Sequence, residues 1–210
     1  MKYAVKECFL TLQGEGVQSG RRAVFLRFAG CNLWSGREQD RATAQCSFCD
    51  TDFVGTDGEG GGKFSAAEAL AAHVEKLWGP GAEGRLVVVT GGEPMLQLDR
   101  RLVDALHGLG FRVAVETNGT LPATAGIDWV CVSPKGGTDV VQRSGDELKL
   151  VWPQAGIEPD ELEDWAFEHF LVQPMDCECA NEAIEAAVKL AMERPKWRLS
   201  LQAHKVIGLP

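Results

Sequence analysis

Three cysteines near the start of this 210-residue sequence have the types and spacing to do chemistry. Cys46-Ser-Phe-Cys49 is a CxxC pair, and Cys31 follows the apolar run Ala23-Val-Phe-Leu-Arg-Phe-Ala-Gly30. Three thiolates on one loop suit an iron–sulfur cube with one iron free of any protein ligand, where a small molecule can bind and be reduced. A structural zinc site closes its tetrahedron with a fourth ligand. None follows closely, since the next histidine is His73. Ordinary buried thiols are the bland alternative. Cys8, Cys131, Cys177 and Cys179 lack such a grouping and read as small packing residues.

The elements that must position these cysteines are legible as apolar runs. Strands are predicted near 24–29, 85–90, 111–116, 128–132, 147–151, 168–173 and 198–202. Ser65-Ala-Ala-Glu68 has the form of a capping box, opening a helix that ends at Gly79-Pro80. Helical patterns follow over 97–109 and 180–193, with a short one near 159–166. Val54 to Gly62 reads as a flexible glycine-rich loop. The alternation predicts an α/β chain with a parallel sheet, open or curled towards a barrel, and few helices for its strands.

In such folds the strand ends on one face carry the site. The cysteine loop follows the first strand, Thr90-Gly-Gly-Glu-Pro94 the second and Glu116-Thr-Asn-Gly119 the third. Ser133-Pro-Lys135 follows the fourth, and Gln173-Pro-Met-Asp176 ends the sixth. These motifs are expected to converge on one cavity.

Composition bounds the rest. With 45% hydrophobic and 24% charged residues, residues 1–210 are expected to form a single domain with a full core. The net charge of -9 argues against a nucleic-acid surface and favours small-molecule partners. No signal-peptide-like start and no bilayer-length apolar run is present, so no membrane partner and a cytoplasmic location are expected. There clustered thiols mean metal or catalysis, and seven cysteines fit a disulfide framework poorly.

The cysteine loop, Phe48 before its last cysteine and Gly91-Gly-Glu-Pro94 resemble the radical S-adenosylmethionine superfamily. The usual pattern is CxxxCxxC, whereas fourteen residues separate Cys31 from Cys46 here. Leu12-Gln-Gly-Glu-Gly16, Arg27, Thr51, Glu116-Thr-Asn118 and Gln202-Ala-His-Lys205 are together similar to the 7-carboxy-7-deazaguanine synthases of 7-deazapurine (queuosine) biosynthesis, from residue 12 to the C-terminus.

That resemblance implies a partial TIM-like β/α barrel with a reduced number of helices and a cluster-binding loop after the first barrel strand. It implies a [4Fe–4S] cluster on Cys31, Cys46 and Cys49, whose free iron takes S-adenosylmethionine and releases a 5′-deoxyadenosyl radical. The cofactor contacts it implies are Phe48, Cys49, Asp50, Gly92, Glu93, Glu116, Asn118, Ser133, Pro134, Lys135, Gln173, Pro174, Met175 and Asp176. For Glu116 and Asn118 a capped turn at a strand end is the competing role. The implied substrate is 6-carboxy-5,6,7,8-tetrahydropterin, facing Leu12, Gln13, Gly14, Glu15, Thr90, His204 and the Pro210 carboxylate. Arg27 suits its carboxylate because a guanidinium fork pairs bidentately, and its apolar neighbours leave an arginine needing an anionic partner.

Thr51 would ligate Mg²⁺, a hard cation that takes oxygen donors. The reaction implied is hydrogen abstraction at C6, ring contraction, return of the hydrogen and loss of ammonia. An external flavodoxin- or ferredoxin-like reductant and a homodimer are also implied. The rivals are a glycyl-radical-enzyme activase and a non-catalytic metal-binding module.

Overall fold

Side chains alternate across every strand, and this alternation separates core from cavity. The structure is a computed structural model that describes residues 3–177 and 179–209. Its strands are β1 (Tyr3–Leu12), β2 (Arg22–Phe28), β3 (Gly62–Phe64), β4 (Leu86–Gly91), β5 (Arg112–Thr117), β6 (Trp129–Val132), β7 (Ser144–Trp152), β8 (Ala166–Pro174) and β9 (Trp197–Leu199). The helices are α1 (Ala67–Trp78), α2 (Arg100–Gly108), α3 (Pro159–Leu162), α4 (Ala180–Glu193) and α5 (Ala203–Ile207).

All nine strands join one sheet in the order β3-β1-β2-β4-β5-β6-β7-β8-β9. From β2 to β9 the pairing is parallel, while β1 runs antiparallel to both β2 and β3. Among the described residues the two edge strands do not pair, so the sheet is an open, partial TIM-like barrel.

One face of the sheet is apolar. Val24, Leu26 and Phe28 of β2, Val87 and Val89 of β4, and Val113 and Val115 of β5 meet Leu70, Val74 and Trp78 of α1 and Leu102, Val103 and Leu106 of α2. Leu148 and Leu150 of β7 and Phe170 and Val172 of β8 meet Ala187 and Leu190 of α4. Each such leucine, valine or phenylalanine stabilises the fold by roughly 1.5–3 kcal/mol relative to exposure. The intervening positions Arg27, Thr90, Glu116, Lys149 and Gln173 therefore face the other way, and all five line one cavity.

Several local expectations are corrected. Helix α1 is capped at Ala66 with no side-chain cap, so Ser65-Ala-Ala-Glu68 does not form the capping box. The helix near 159–166 is a single turn, because Ala166 already begins β8. The sheet is mixed because β1 precedes the parallel run, and β1 itself escapes periodicity. Its Lys6-Glu7 pair interrupts the alternation at a register shift between Val5 and Glu7. Lys6 is nevertheless buried, donating to the Val54 carbonyl at 2.9 Å and pairing with Asp52 and Asp57.

The glycine-rich loop after Val54 is seated on β1 rather than free. The Gly58 amide donates to Lys6 O at 2.9 Å and the Cys8 amide to Glu59 O at 2.7 Å. Gly60 has φ +62°, and a Cβ there would lie 2.2 Å from Cys8 O, so only glycine permits this approach. Cys177 and Cys179 are joined in a disulfide instead of standing as separate packing thiols. Their Cα atoms lie 5.1 Å apart, within bridging range. Cys8 and Cys131 are free and buried, as expected of packing residues.

Candidate active site

The strand ends enclose a cavity of about 620 Å³. Cys31, Cys46 and Cys49 share its wall with Phe48, Asp50 and Thr51 of the same loop. Cys46 donates a hydrogen bond to Cys49, which pulls the Cys49 thiol down to about 6 against the opposing effect of burial. That bond and burial together push Cys46 up. Cys49 is therefore the more readily ionised thiol of the pair. Iodoacetamide labelling of metal-free protein, followed by peptide mass spectrometry, is expected to modify Cys49 before Cys46, with a rate that rises through about pH 6. Equal labelling of both would contradict the pairing.

The segment between Cys31 and Cys46 braces this loop. It contains a 3₁₀ turn, Glu38–Thr43, from which Arg41 Nη1 donates to the carbonyls of Ser47 and Cys49 at 2.9 and 3.0 Å. The same guanidinium lies 4.2 Å from the centre of the Trp34 ring, and Trp34 stands edge-on to Phe53. Asn118 ties the loop to β5 by donating to Asn32 Oδ1 at 3.0 Å, while its own Oδ1 caps the turn at Thr120. Asn118 thus both caps a turn and lines the cavity.

At the turn after β4, Gly91 and Gly92 line the cavity and Glu93 does not. The Glu93 side chain is 0% exposed. Its carboxylate accepts from Met95 N at 2.8 Å, Thr117 Oγ1 at 2.7 Å and Asn118 N at 2.8 Å. The carboxylate locks β4 to β5 behind the wall, which leaves the backbone carbonyl as the group at this position that could meet a cofactor. The glycines are needed for close approach. A Cβ on Gly92 would lie 2.3 Å from Gly30 O and 2.6 Å from Cys31 Cβ. Gly92→Ala is expected to displace Cys31, lowering both the iron bound after anaerobic reconstitution and the melting temperature; normal values for both would refute that reading.

The same cavity is also lined by a chain of polar groups. Gln13 Nε2 donates to Glu116 Oε1 at 2.8 Å, and Lys149 Nζ donates to Glu116 Oε2 at 3.1 Å. Lys149 also pairs closely with Glu15, and Gln202 Nε2 donates to the other Glu15 oxygen at 2.8 Å. Burial opposes ionisation of Glu15, but Lys149, Gln202 and His204 together outweigh it and hold the carboxyl at about 2. Arg27 finds its anionic partner in Glu7, directly opposite it on β1, at 2.6 Å. Lys135 is half-buried, donating to Ser133 O at 2.7 Å and Ser133 Oγ at 2.8 Å, and desolvation lowers its pKa.

The C-terminal tail closes the rim. The Ala203 amide donates to Gly14 O at 2.8 Å, and a Cβ on Gly14 would strike the His204 ring. Lys205 spans the mouth to Asp50 at 2.9 Å and also pairs with Asp176.

The cavity thus gathers Leu12 to Glu15, Arg27, Thr90, Glu116, Asn118, Ser133, Lys135, Gln173 to Asp176 and His204 beside the three cysteines. Pro134 is not among its lining residues, and Pro210 lies outside the described residues. Among the described residues no three His, Cys, Asp or Glu side chains are gathered as a single ion would need. Three cysteine sulfurs lining one cavity, with no fourth cysteine among its lining residues, fit a [4Fe–4S] cluster that keeps one iron for a ligand.

The model of the radical SAM superfamily matches residues 39–147. Over their full lengths, the chain is 61% identical to the 7-carboxy-7-deazaguanine synthase of Caulobacter vibrioides and 60% identical to that of Bordetella pertussis. The crystal structure of QueE from Escherichia coli superposes with a TM-score of 0.73 at 29% identity, covering 97% of this chain and 95% of that one. The chain belongs to the 7-carboxy-7-deazaguanine synthase family. As a radical SAM enzyme it uses a [4Fe–4S] cluster and S-adenosylmethionine, and takes a small-molecule substrate and a reductant. The activase and metal-module readings are not favoured, since the similarity to named synthases runs end to end.

Sequence reading missed several residues of this synthase cavity: Glu7, Trp34, Asp52 and Lys149. Glu7 and Asp52 belong to pairs that form only in the fold. Lys149 carried a usable signal, being a lysine inside the apolar run Leu148 to Val151.

Proposed function

We infer that this chain converts 6-carboxy-5,6,7,8-tetrahydropterin into 7-carboxy-7-deazaguanine with loss of ammonia, by radical ring contraction in queuosine biosynthesis. One observation carries the reading: a single cavity is lined both by the three cysteines and by Gln13, Glu15, Arg27 and Thr90. The whole chain would act as one radical SAM domain.

Cys31, Cys46 and Cys49 would hold the cluster. Phe48, Asp50, Gly92, Ser133, Lys135 and Gln173 to Asp176 would hold S-adenosylmethionine, with Glu116 and Asn118 at its edge. When bound, these groups supply an electron and a 5′-deoxyadenosyl radical, and the cofactor is regenerated as the hydrogen returns. The protein's own contribution is position. Arg27 presents a guanidinium to the substrate carboxylate, and its Glu7 partner keeps that guanidinium aimed along the wall. Glu15 stays ionised and accepts N–H groups of the pterin amide and amine edge. Gly14 lets the backbone approach, and His204 with the tail limits water entry.

Thr51 lines the same cavity beside the cysteines and offers a hydroxyl to Mg²⁺ carried with the substrate carboxylate. A flavodoxin- or ferredoxin-like protein would deliver the electron. No helix among the described residues is long and apolar enough to cross a membrane. A cytoplasmic location suits cysteines that must stay reduced. A homodimer is supported by the apolar stripe Ile184, Val188 and Met192 on α4, where Met192 is 80% exposed.

Anaerobic incubation with S-adenosylmethionine, dithionite and the carboxylated pterin tests the assignment. It is expected to yield 7-carboxy-7-deazaguanine while 5′-deoxyadenosine stays far below product. Steady release of 5′-deoxyadenosine with every pterin and no deazaguanine would overturn the substrate assignment.

A further inference from the structure

We propose that Lys149 is the positioning residue of the substrate wall: its ammonium holds Glu15 and Glu116 as a fixed pair of carboxylates and, through Glu15 and Gln202, seats the C-terminal tail over the cavity. The proposal rests on the pterin reading above. Lys149 sits mid-strand on β7 and is 4% exposed, between Leu148 and Leu150 of the core. A lysine is buried this deeply only where its charge is paired. Its partners come from distant parts of the chain, 134 residues away at Glu15 and 33 at Glu116.

The network is closed on every side. Glu15 Oε1 accepts from Gln202, Glu116 Oε1 accepts from Gln13, and Gln13 Oε1 accepts the Glu15 amide at 3.0 Å. Gln202 directly precedes α5, whose Ala203 amide bonds Gly14 O at 2.8 Å. One cation therefore fixes the loop after β1, the end of β5 and the tail in a single arrangement. Without it, two carboxylates would share a buried wall, and like charges so placed cannot both ionise cheaply. One would take up a proton, and an acceptor that the N–H-rich pterin edge needs would become a donor. The other charged or titratable groups facing this cluster are Glu147 on β7, Cys131 on β6, Lys135 beyond β6, His204 in the tail and Asp50 in the cysteine loop.

The test compares Lys149→Met, Lys149→Arg and the double variant Lys149→Met/Glu116→Gln with the parent enzyme, after cluster reconstitution. For the two single variants, iron content and S-adenosylmethionine affinity by equilibrium dialysis are expected to match the parent. The methionine variant should raise KM for the pterin about tenfold or more, with a smaller change in kcat, and its kcat/KM should show a new ionisation between about pH 6 and 8. The arginine variant should restore most of KM, and the double variant should lose the new ionisation. An unchanged KM and pH profile, or a loss of cluster and cofactor binding in step with activity, would overturn the proposal. If the methionine variant does not fold, the arginine variant decides: a parental pH profile with KM within about threefold supports it, and a new ionisation overturns it. Failure of the parent to turn over the pterin would instead overturn the substrate reading.

Discussion

Arg27→Gln is expected to lower kcat/KM for the carboxylated pterin by about 10²–10⁴-fold, because two charge-assisted hydrogen bonds worth about 1.5–3 kcal/mol each are lost. The guanidinium sits on the inner face of β2, beside Thr90 in the parallel register with β4 and opposite Glu7 on β1. Both neighbours line the same cavity, so the substituted residue changes its charge without leaving the wall. Most of the loss should fall on KM if the carboxylate is bound equally in ground and transition states. Competition by a pterin lacking the carboxylate provides the control. It should inhibit parent and variant alike, and a parallel loss of its binding would show that the substitution disturbed the wall as a whole.

Glu93→Ala is expected to destabilise the protein by about 3–4 kcal/mol, since three donors lose a buried charged acceptor at once. For a domain of this size the melting temperature should fall by about 6–15 °C. The Met95 and Asn118 amides and the Thr117 hydroxyl all point at this carboxylate, which does not itself line the cavity. Glu93→Gln keeps one oxygen acceptor and should lose about half as much. Thermal denaturation of both variants separates a locking residue from a ligand. A Glu93→Ala protein that melts like the parent yet binds S-adenosylmethionine poorly would restore Glu93 to the cofactor wall.

Much of this site is legible in the sequence because its chemistry sits where strands end. Cys46-Ser-Phe-Cys49, Gly91-Gly-Glu-Pro94 and Gln173-Pro-Met-Asp176 are contiguous runs, and contiguous runs survive without knowledge of the fold. The parallel strands were legible for the same reason, as short apolar blocks rich in valine. What stayed hidden depends on distant pairing. Strand β1 carries Lys6 and Glu7 against the periodic rule, and each is explained only by a partner elsewhere, Asp57 and Arg27. Glu93 belongs to a recognisable motif, yet its direction is set by amides on the next strand. Lys149 interrupts the apolar run Leu148 to Val151, and its partners Glu15 and Glu116 meet it only in the fold.

The most direct measurement is iron and acid-labile sulfide in anaerobically reconstituted protein, taken beside a Cys46→Ala variant. The parent should carry about four irons per chain in a brown, reducible centre, and the variant should lose it. A colourless parent holding one zinc, or a variant that keeps the full centre, would contradict the assignment of Cys31, Cys46 and Cys49 as the anchors of the cluster.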